Sequence, residues 1–458
     1  MRGTLSLLLG ALAACGSVNN HPPDGPATDG QAAAPGDLVW VRSMSAAAGL
    51  GVADGPGGLV FAGYITAPAD LGGGLMTPLG AVDMVLGGYD AATAAYTYQV
   101  RHNDANGGQV FGFLQQIDSL GNPLIAGVSY GDVDLGKGPV TGGAGPTAMT
   151  SDGFVGRYGL GAPAWVNRIV GPGEDKFLGT APAPGGEIYA GGWFESTPTW
   201  NGVQLTAAGR DFFVARMNAF TGAITATRQF GGPGRDELSA IDGDGTNLII
   251  GGYFDDTLAM GGTAASITSA GALDVFVAKL DATMAPVWAV RFGGLGEERG
   301  TAVALDPGGD VYVAGQFQGQ IAFGAVNLTS SDPIDPAAPK HDLFVARLHG
   351  SSGGVVWAIQ LGGVGDDSVG RIIVDRGGHP VLIGGVNGDA VIASLSPDNG
   401  AVRWQKLIAT SGSDFGRSLT NGANGDLYAV VNLQGAFDFG KPLIGPLAPA
   451  SVILRIAP

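Results

Sequence analysis

Five acids stand at one spacing along this chain. Asp175, Asp236, Glu298, Asp367 and Asp414 each lie ten positions after the start of a similar segment, and Glu174, Glu237, Glu297 and Asp366 stand beside four of them. Paired carboxylates can hold a cation or act as acid and base, because crowding two negative charges raises the pKa of one of them. Short acidic side chains also accept backbone N–H bonds in turns, which is the plainer task. Recurrence favours that task, since a ligand rarely needs five equal copies while a repeated fold does. Which role holds depends on the elements that carry the acids.

Other chemistry thins out on inspection. The five histidines, at 21, 102, 341, 349 and 379, show no pair at metal-ligand spacing, and Cys15 is the only cysteine, so no metal site and no disulfide within the chain are expected. "GVSYG", residues 127–131, fits a hydrolase nucleophile-elbow pattern, but that elbow needs a strand-to-helix turn, and Gly127 occupies the place that Gly63 and Gly315 hold at the end of a strand. "DGDG", residues 242–245, has Tyr253 where a calcium loop needs its twelfth-position acid and falls on a turn instead. No glycine-rich loop precedes a helix, so no phosphate-bearing cofactor is expected.

The elements are repeats. "WAVRFGGLGEE" from Trp288 returns as "WAIQLGGVGDD" from Trp357, "WVNRIVGPGED" from Trp165 and "ATRQFGGPGRD" from Ala226, with weaker copies from Trp404, Tyr98 and Trp40. A second motif follows each, as in "GGDVYVAGQF" ending at Phe317, and a third closes the unit, as in "DLFVARL" from Asp342 and "DVFVAKL" from Asp274. These short runs are rich in Val, Ile, Phe and Tyr between Gly, Asp and Pro, which is strand and turn composition, and no long 3.6-residue period interrupts them. Four strands per unit at this repeat length predict β-propeller blades. "VLIGGVNGDAVIASL", residues 381–395, joins the second and third strands of the sixth unit through Asn387-Gly388, a two-residue hairpin signal, so those strands are adjacent and antiparallel.

The chain ends extend the pattern. Residues 452–456, "VILRI", form a third-strand motif with no tryptophan strand after it, and "LVWVR", residues 38–42, is the missing strand. The expected fold is therefore all-β: a seven-bladed propeller of four-stranded antiparallel blades over residues 37–458, closed by N- and C-terminal strands in one blade. Closure removes sticky strand edges. In that fold the five acids lie in the loops from outer to next inner strand, where they form a candidate ring at the channel mouth. The loops between second and third strands share that face. The long one in the fifth unit, "LTSSDPIDPAAPKHD" (residues 328–342), stands beside the two-residue turn of the sixth. Tall beside short makes a notch, and Asp332, Asp335, Lys340 and Asn387 are its candidate partner contacts; trimming residues 331–340 is expected to weaken a partner held there.

Composition bounds the rest. The 458 residues include 82 glycines and 27 prolines with only 14% charged residues, which suits turns in a globular array better than a solvated coil. A net charge of −17 with no cluster of Lys or Arg argues against nucleic acid as a partner. After Met1-Arg2 comes "LSLLLGALAA", too short to span a membrane and shaped like a secretory signal. "LAAC", residues 12–15, resembles the lipobox of bacterial lipoproteins, which implies a signal peptide over 1–14, lipidation of Cys15 and a membrane anchor. Residues 15–36 then read as the lipidated cysteine and a flexible tether reaching roughly 25 Å. Gly16 is not the aspartate that retains some lipoproteins at the inner membrane, so the resemblance implies the outer membrane.

From about residue 38 to the end, the tryptophan unit with "GGxG", an acid and "DxFVAKL" resembles the bacterial propeller repeats often called SBBP, which implies a secreted or surface protein. "LSPDNGAVRW", residues 395–404, is similar to quinoprotein-type repeats, in that unit alone. The expected function is a monomeric, envelope-anchored, non-enzymatic binding or scaffolding module for a protein or glycan partner. The alternative is a propeller hydrolase or lyase using paired carboxylates at the channel mouth. A self-associating surface-layer component is a third possibility.

Overall fold

A computed structural model describes residues 33–103, 107–142, 150–159, 162–262, 264, 266–332, 334, 339–446 and 450–458; Cys15, the signal segment and Asp335 lie outside the described residues. Among the described residues there is no α-helix, and none is therefore long and apolar enough to cross a membrane. The fourth unit shows the common plan. An inner strand Asp236–Gly243 pairs with Leu248–Phe254, that with Asp274–Leu280, and that with an outer strand Pro286–Phe292, all antiparallel. The third, fifth and sixth units repeat this order, and the second does so with two extra strands on its outer edge.

The closing blade is composite. Leu38–Gly55 is one continuous 18-residue strand. Its first part pairs with Ser451–Ile456 to complete the seventh unit, with Trp40 opposite Arg455 and Arg42 opposite Ile453. Its second part, from Ala47, is the inner strand of the first unit. Ala46, with φ of 52°, sits at the register break where the chain passes from one sheet to the next. Among the described residues seven four-stranded units result, and their inner strands touch in a closed cycle that returns from the seventh to the first.

Burial follows from that ring. Each sheet is covered on both faces by its neighbours, so middle strands such as Leu248–Phe254 and Asp83–Tyr89 are buried along their whole length rather than at alternate residues. Among the described residues seven hydrophobic clusters form, each built from two adjacent units, including Trp40, Tyr428 and Phe61 between the seventh and the first. The core lies between blades, and no single blade owns one.

Two recurrent motifs acquire causes. The outer-strand tryptophan latches onto the next unit: the indole N–H of Trp165 donates to the Ala219 carbonyl at 3.0 Å, Trp288 to Gly350 at 3.0 Å and Trp357 to Pro397 at 2.8 Å. The glycine near the end of the second strand answers a β-bulge in the inner strand. In six units the ladder skips one inner-strand residue at the same register, and in the second unit two residues further along. The bulged strand presses a carbonyl toward its partner, so a Cβ on Gly252 would fall on the Glu237 oxygen and one on Gly315 on the Arg299 oxygen.

The long loops are not free projections. The insertion of the third unit adds Thr199–Trp200 to the outer strand of the second and buries Trp200 against Phe177 and Phe213. The loop of the fifth unit begins as a hairpin, Gln320–Phe323 with Val326–Thr329, that bridges to Gly293 of the preceding connection.

Candidate functional site

The five recurrent acids are buried, none more than 2% exposed, where each connection enters an inner strand, instead of standing free around an open mouth. Strand geometry places each one beside the acid near the start of the third strand of the preceding unit: Asp175 by Asp152, Asp236 by Asp211, Glu298 by Asp274, Asp367 by Asp342 and Asp414 by Asp389. The Gly-Gly connection passes between the two carboxyls. A Cβ on Gly231 would fall on the Asp211 carboxyl and one on Gly293 on that of Asp274, so a side chain at either would displace the carboxyl.

Their bonding divides them. Asp367 accepts the Gly363 and Asn387 amides at 3.0 and 2.8 Å. Asp414 accepts Thr410 and Gln434 amides at 2.6 and 2.9 Å, tying the connection to the next loop. One oxygen of Glu298 accepts the Gly294 amide at 2.8 Å and the other accepts nothing among the described residues. Neither oxygen of Asp175 or Asp236 makes a hydrogen bond of good geometry, and the nearby Glu195 and Gly232 amides offset burial only in part. Burial, with the neighbouring carboxylate adding to it, pushes Asp175 and Asp236 up to about 8; burial also carries Glu298 to about 8 and Asp367 to about 6. Asp175, Asp236 and Glu298 therefore behave as buried protonated acids near neutrality, while Asp367 gives up its proton just below it. The adjacent acids are held in ion pairs, Glu174 and the buried Glu237 by Arg210, Glu297 by Arg299 and Asp366 by His341. No group of three or more metal-ligating side chains occurs among the described residues.

The notch residues separate. Asp332 is buried, with one oxygen accepting the Gly365 amide at 2.7 Å and the other facing the Lys340 ammonium at 3.3 Å. These two fasten the long loop of the fifth unit to the connection that follows it. Asn387, at φ of 54°, with Gly388 at 84°, makes the two-residue turn that the dipeptide predicts. Over that turn lies a groove of about 740 Å³. Ser368, Asn387, Ser413 and Gln434 border it with polar side chains, Phe415 contributes a ring, and Val364 stands exposed at its rim. The Arg417 guanidinium lies 4.5 Å from the centre of the Phe415 ring.

Sequence reading did not find a second concavity on the axis. A cavity of about 570 Å³ is walled by the inner strands of all seven units and includes Asp242, Arg371 and Arg417. The available signal was the repeat itself. At the inner-strand bulge the units differ in residue type, with Leu178, Ser239, Thr301 and Arg417 in four of them, while the acids a few residues earlier stay alike.

No family model and no curated protein matches this chain. Among solved structures, a protein of unknown function from Bacteroides caccae aligns at 9% identity over 48% of this chain and 61% of that one, with a TM-score of 0.30. A Dos1 propeller aligns at 11% identity over 92% and 95%, TM-score 0.41, and a europium-containing methanol dehydrogenase at 14% over 92% and 93%, TM-score 0.43. Likenesses of that extent bear on neither activity nor ligand.

Proposed function

We propose that this protein is an envelope-anchored, non-enzymatic propeller module that binds a glycan in the groove over the Asn387-Gly388 turn. The observation that carries the reading is the lining. Hydroxyl and amide side chains from Ser368, Asn387, Ser413 and Gln434 line the groove beside one aromatic ring, Phe415, with Asp366, Asp414 and Arg417 on the same border. Sugars present many hydroxyls and one apolar face, which that combination suits. A protein partner would need a larger dry centre of apolar and aromatic groups. The shortest second-to-third-strand turn in the ring leaves this space open, and the loops to either side are tied down by Asp332 and Asp414.

The carboxylate pairs give the enzymatic alternative less support. Their raised pKa values suit acid catalysis, but Asp175, Asp236 and Glu298 border neither the groove nor the axial cavity. A general acid must reach its substrate. Anchoring rests on the "LAAC" resemblance at Cys15.

A panel of immobilised neutral and N-acetylated oligosaccharides tests the reading with the full-length protein. Ser413→Ala and Gln434→Ala are each expected to weaken binding by about three- to tenfold, the cost of one lost hydrogen bond. Lengthening the Asn387-Gly388 turn by a few residues is expected to abolish it. Unchanged binding in all three variants would overturn the groove assignment. For the anchor, Cys15→Ser is expected to move the protein from the membrane to the soluble fraction; continued membrane retention would count against lipidation.

A further inference from the structure

We propose that the axial cavity binds a small organic monocarboxylate with an apolar body, its carboxylate on Arg371 and its body against the walls of the first three units. This site is separate in chemistry from the glycan groove, although Phe415 and Arg417 border both.

The cavity, at about 570 Å³, is of the size that takes a small ligand. Its wall is two-sided. Leu50, Phe113, Leu114 and Leu178 make the first three units mainly apolar, with Gln115 among them, while the last four bring the charged groups and the hydroxyls of Ser239, Thr301, Ser418 and Thr420 in among apolar residues such as Ile241 and Ile372. Three charged side chains line it, Arg371, Arg417 and Asp242. Even with Asp242 ionised their sum is +1, inside a chain whose net charge is −17. A monoanion would neutralise that excess.

Arg371 carries the argument. It follows the bulge at Gly370, where the inner strand re-aims its side chains toward the axis. No acceptor among the described residues bonds its guanidinium, and Asp242 is its one opposing charge. Asp242 is itself engaged, with one oxygen accepting the Leu305 amide at 2.8 Å. Five N–H donors in a planar fork without a bonded acceptor leave a place for a bidentate carboxylate. Arg417 likewise has no hydrogen-bond partner among the described residues and rests on Phe415, which also borders the groove.

Isothermal titration of the full chain with hexanoate and with its neutral isostere hexanamide tests this directly. Hexanoate is expected to bind at one site, and hexanamide at least about tenfold more weakly. Arg371→Met should cost hexanoate affinity by a similar factor. Asp242→Asn removes the competing negative charge while keeping an oxygen for the Leu305 amide, so it should tighten hexanoate binding. No detectable hexanoate binding, equal binding of acid and amide, or unchanged affinity in a folded Arg371→Met variant would overturn the proposal. Should Arg371→Met fail to fold, the comparison of acid with amide and the opposite sign expected of Asp242→Asn still decide it.

Discussion

At the scale of single residues, the recurring acids turn a pattern visible in sequence into a pH-dependent strain. Asp175, Asp236 and Glu298 have folded-state values near 8, far above those of the unfolded chain. Below about pH 4 both states are protonated and the groups contribute nothing. Between about pH 4 and 8 the unfolded chain ionises while the fold keeps the proton, so stability falls as pH rises through that window and levels off above it. Asp236→Asn keeps the shape and removes the titration. It is expected to raise stability at pH 8 by at least about 1 kcal/mol and to change it little at pH 4, read from denaturant unfolding at both values. An equal effect at the two values would show that the carboxyl is ionised in the fold. The spacing of these acids was legible because every connection is built alike. Their burial was not, since it depends on the acid opening the third strand of the neighbouring blade, and the Asp211–Asp236 pairing exists only once two sheets are stacked.

At the scale of the strand, the inner-strand bulge ties the repeat to the cavity. Gly252 is required because a Cβ there would meet the Glu237 carbonyl and the Phe276 ring. Gly252→Ala is expected to destabilise the protein by about 1–3 kcal/mol through overpacking, measured as a lower unfolding midpoint at unchanged slope. Val431 occupies the corresponding place in the seventh unit, and nothing in the structure explains why a side chain is tolerated there. The strands were legible from β-branched and aromatic runs between turn residues. The bulges were not, because one extra residue in a strand leaves no mark except the glycine opposite it. The small hairpins inside the long loops were missed for a related reason: Thr199–Trp200 is held by the outer strand of the preceding blade and by the burial of Trp200, not by its own propensity.

At the scale of the whole molecule, stability depends on one seam. Seven clusters of apolar side chains each need two blades, so a ring opened at one point loses a cluster outright and exposes two faces. The pairing of residues 38–44 with Ser451–Ile456 is that point, and Gly36 extends it by lying under the Trp404 ring of the sixth unit, as Gly222, Gly353 and Gly400 lie under Trp165, Trp288 and Trp357. The N-terminal segment thus supplies both the last strand of the seventh blade and the turn against which the Trp404 ring of the sixth blade packs. Deleting residues 33–44 is expected to lower the melting temperature by at least about 5 °C, since one blade loses its outer strand and two inter-blade cores lose a wall. It should also expose Ser451–Ile456 as an unpaired edge, so that light scattering reports self-association. A synthetic peptide covering residues 33–46 should bind the truncated chain and reverse both effects, because the edge it would fill is already ordered by the strand Leu427–Asn432 on its other side. A truncated chain that stays monomeric with an unchanged melting temperature would mean that the first six blades hold the ring without the seam. The clusters on either side of the seventh blade, which draw on Leu38, Trp40 and Val41, would then have to repack without their missing wall.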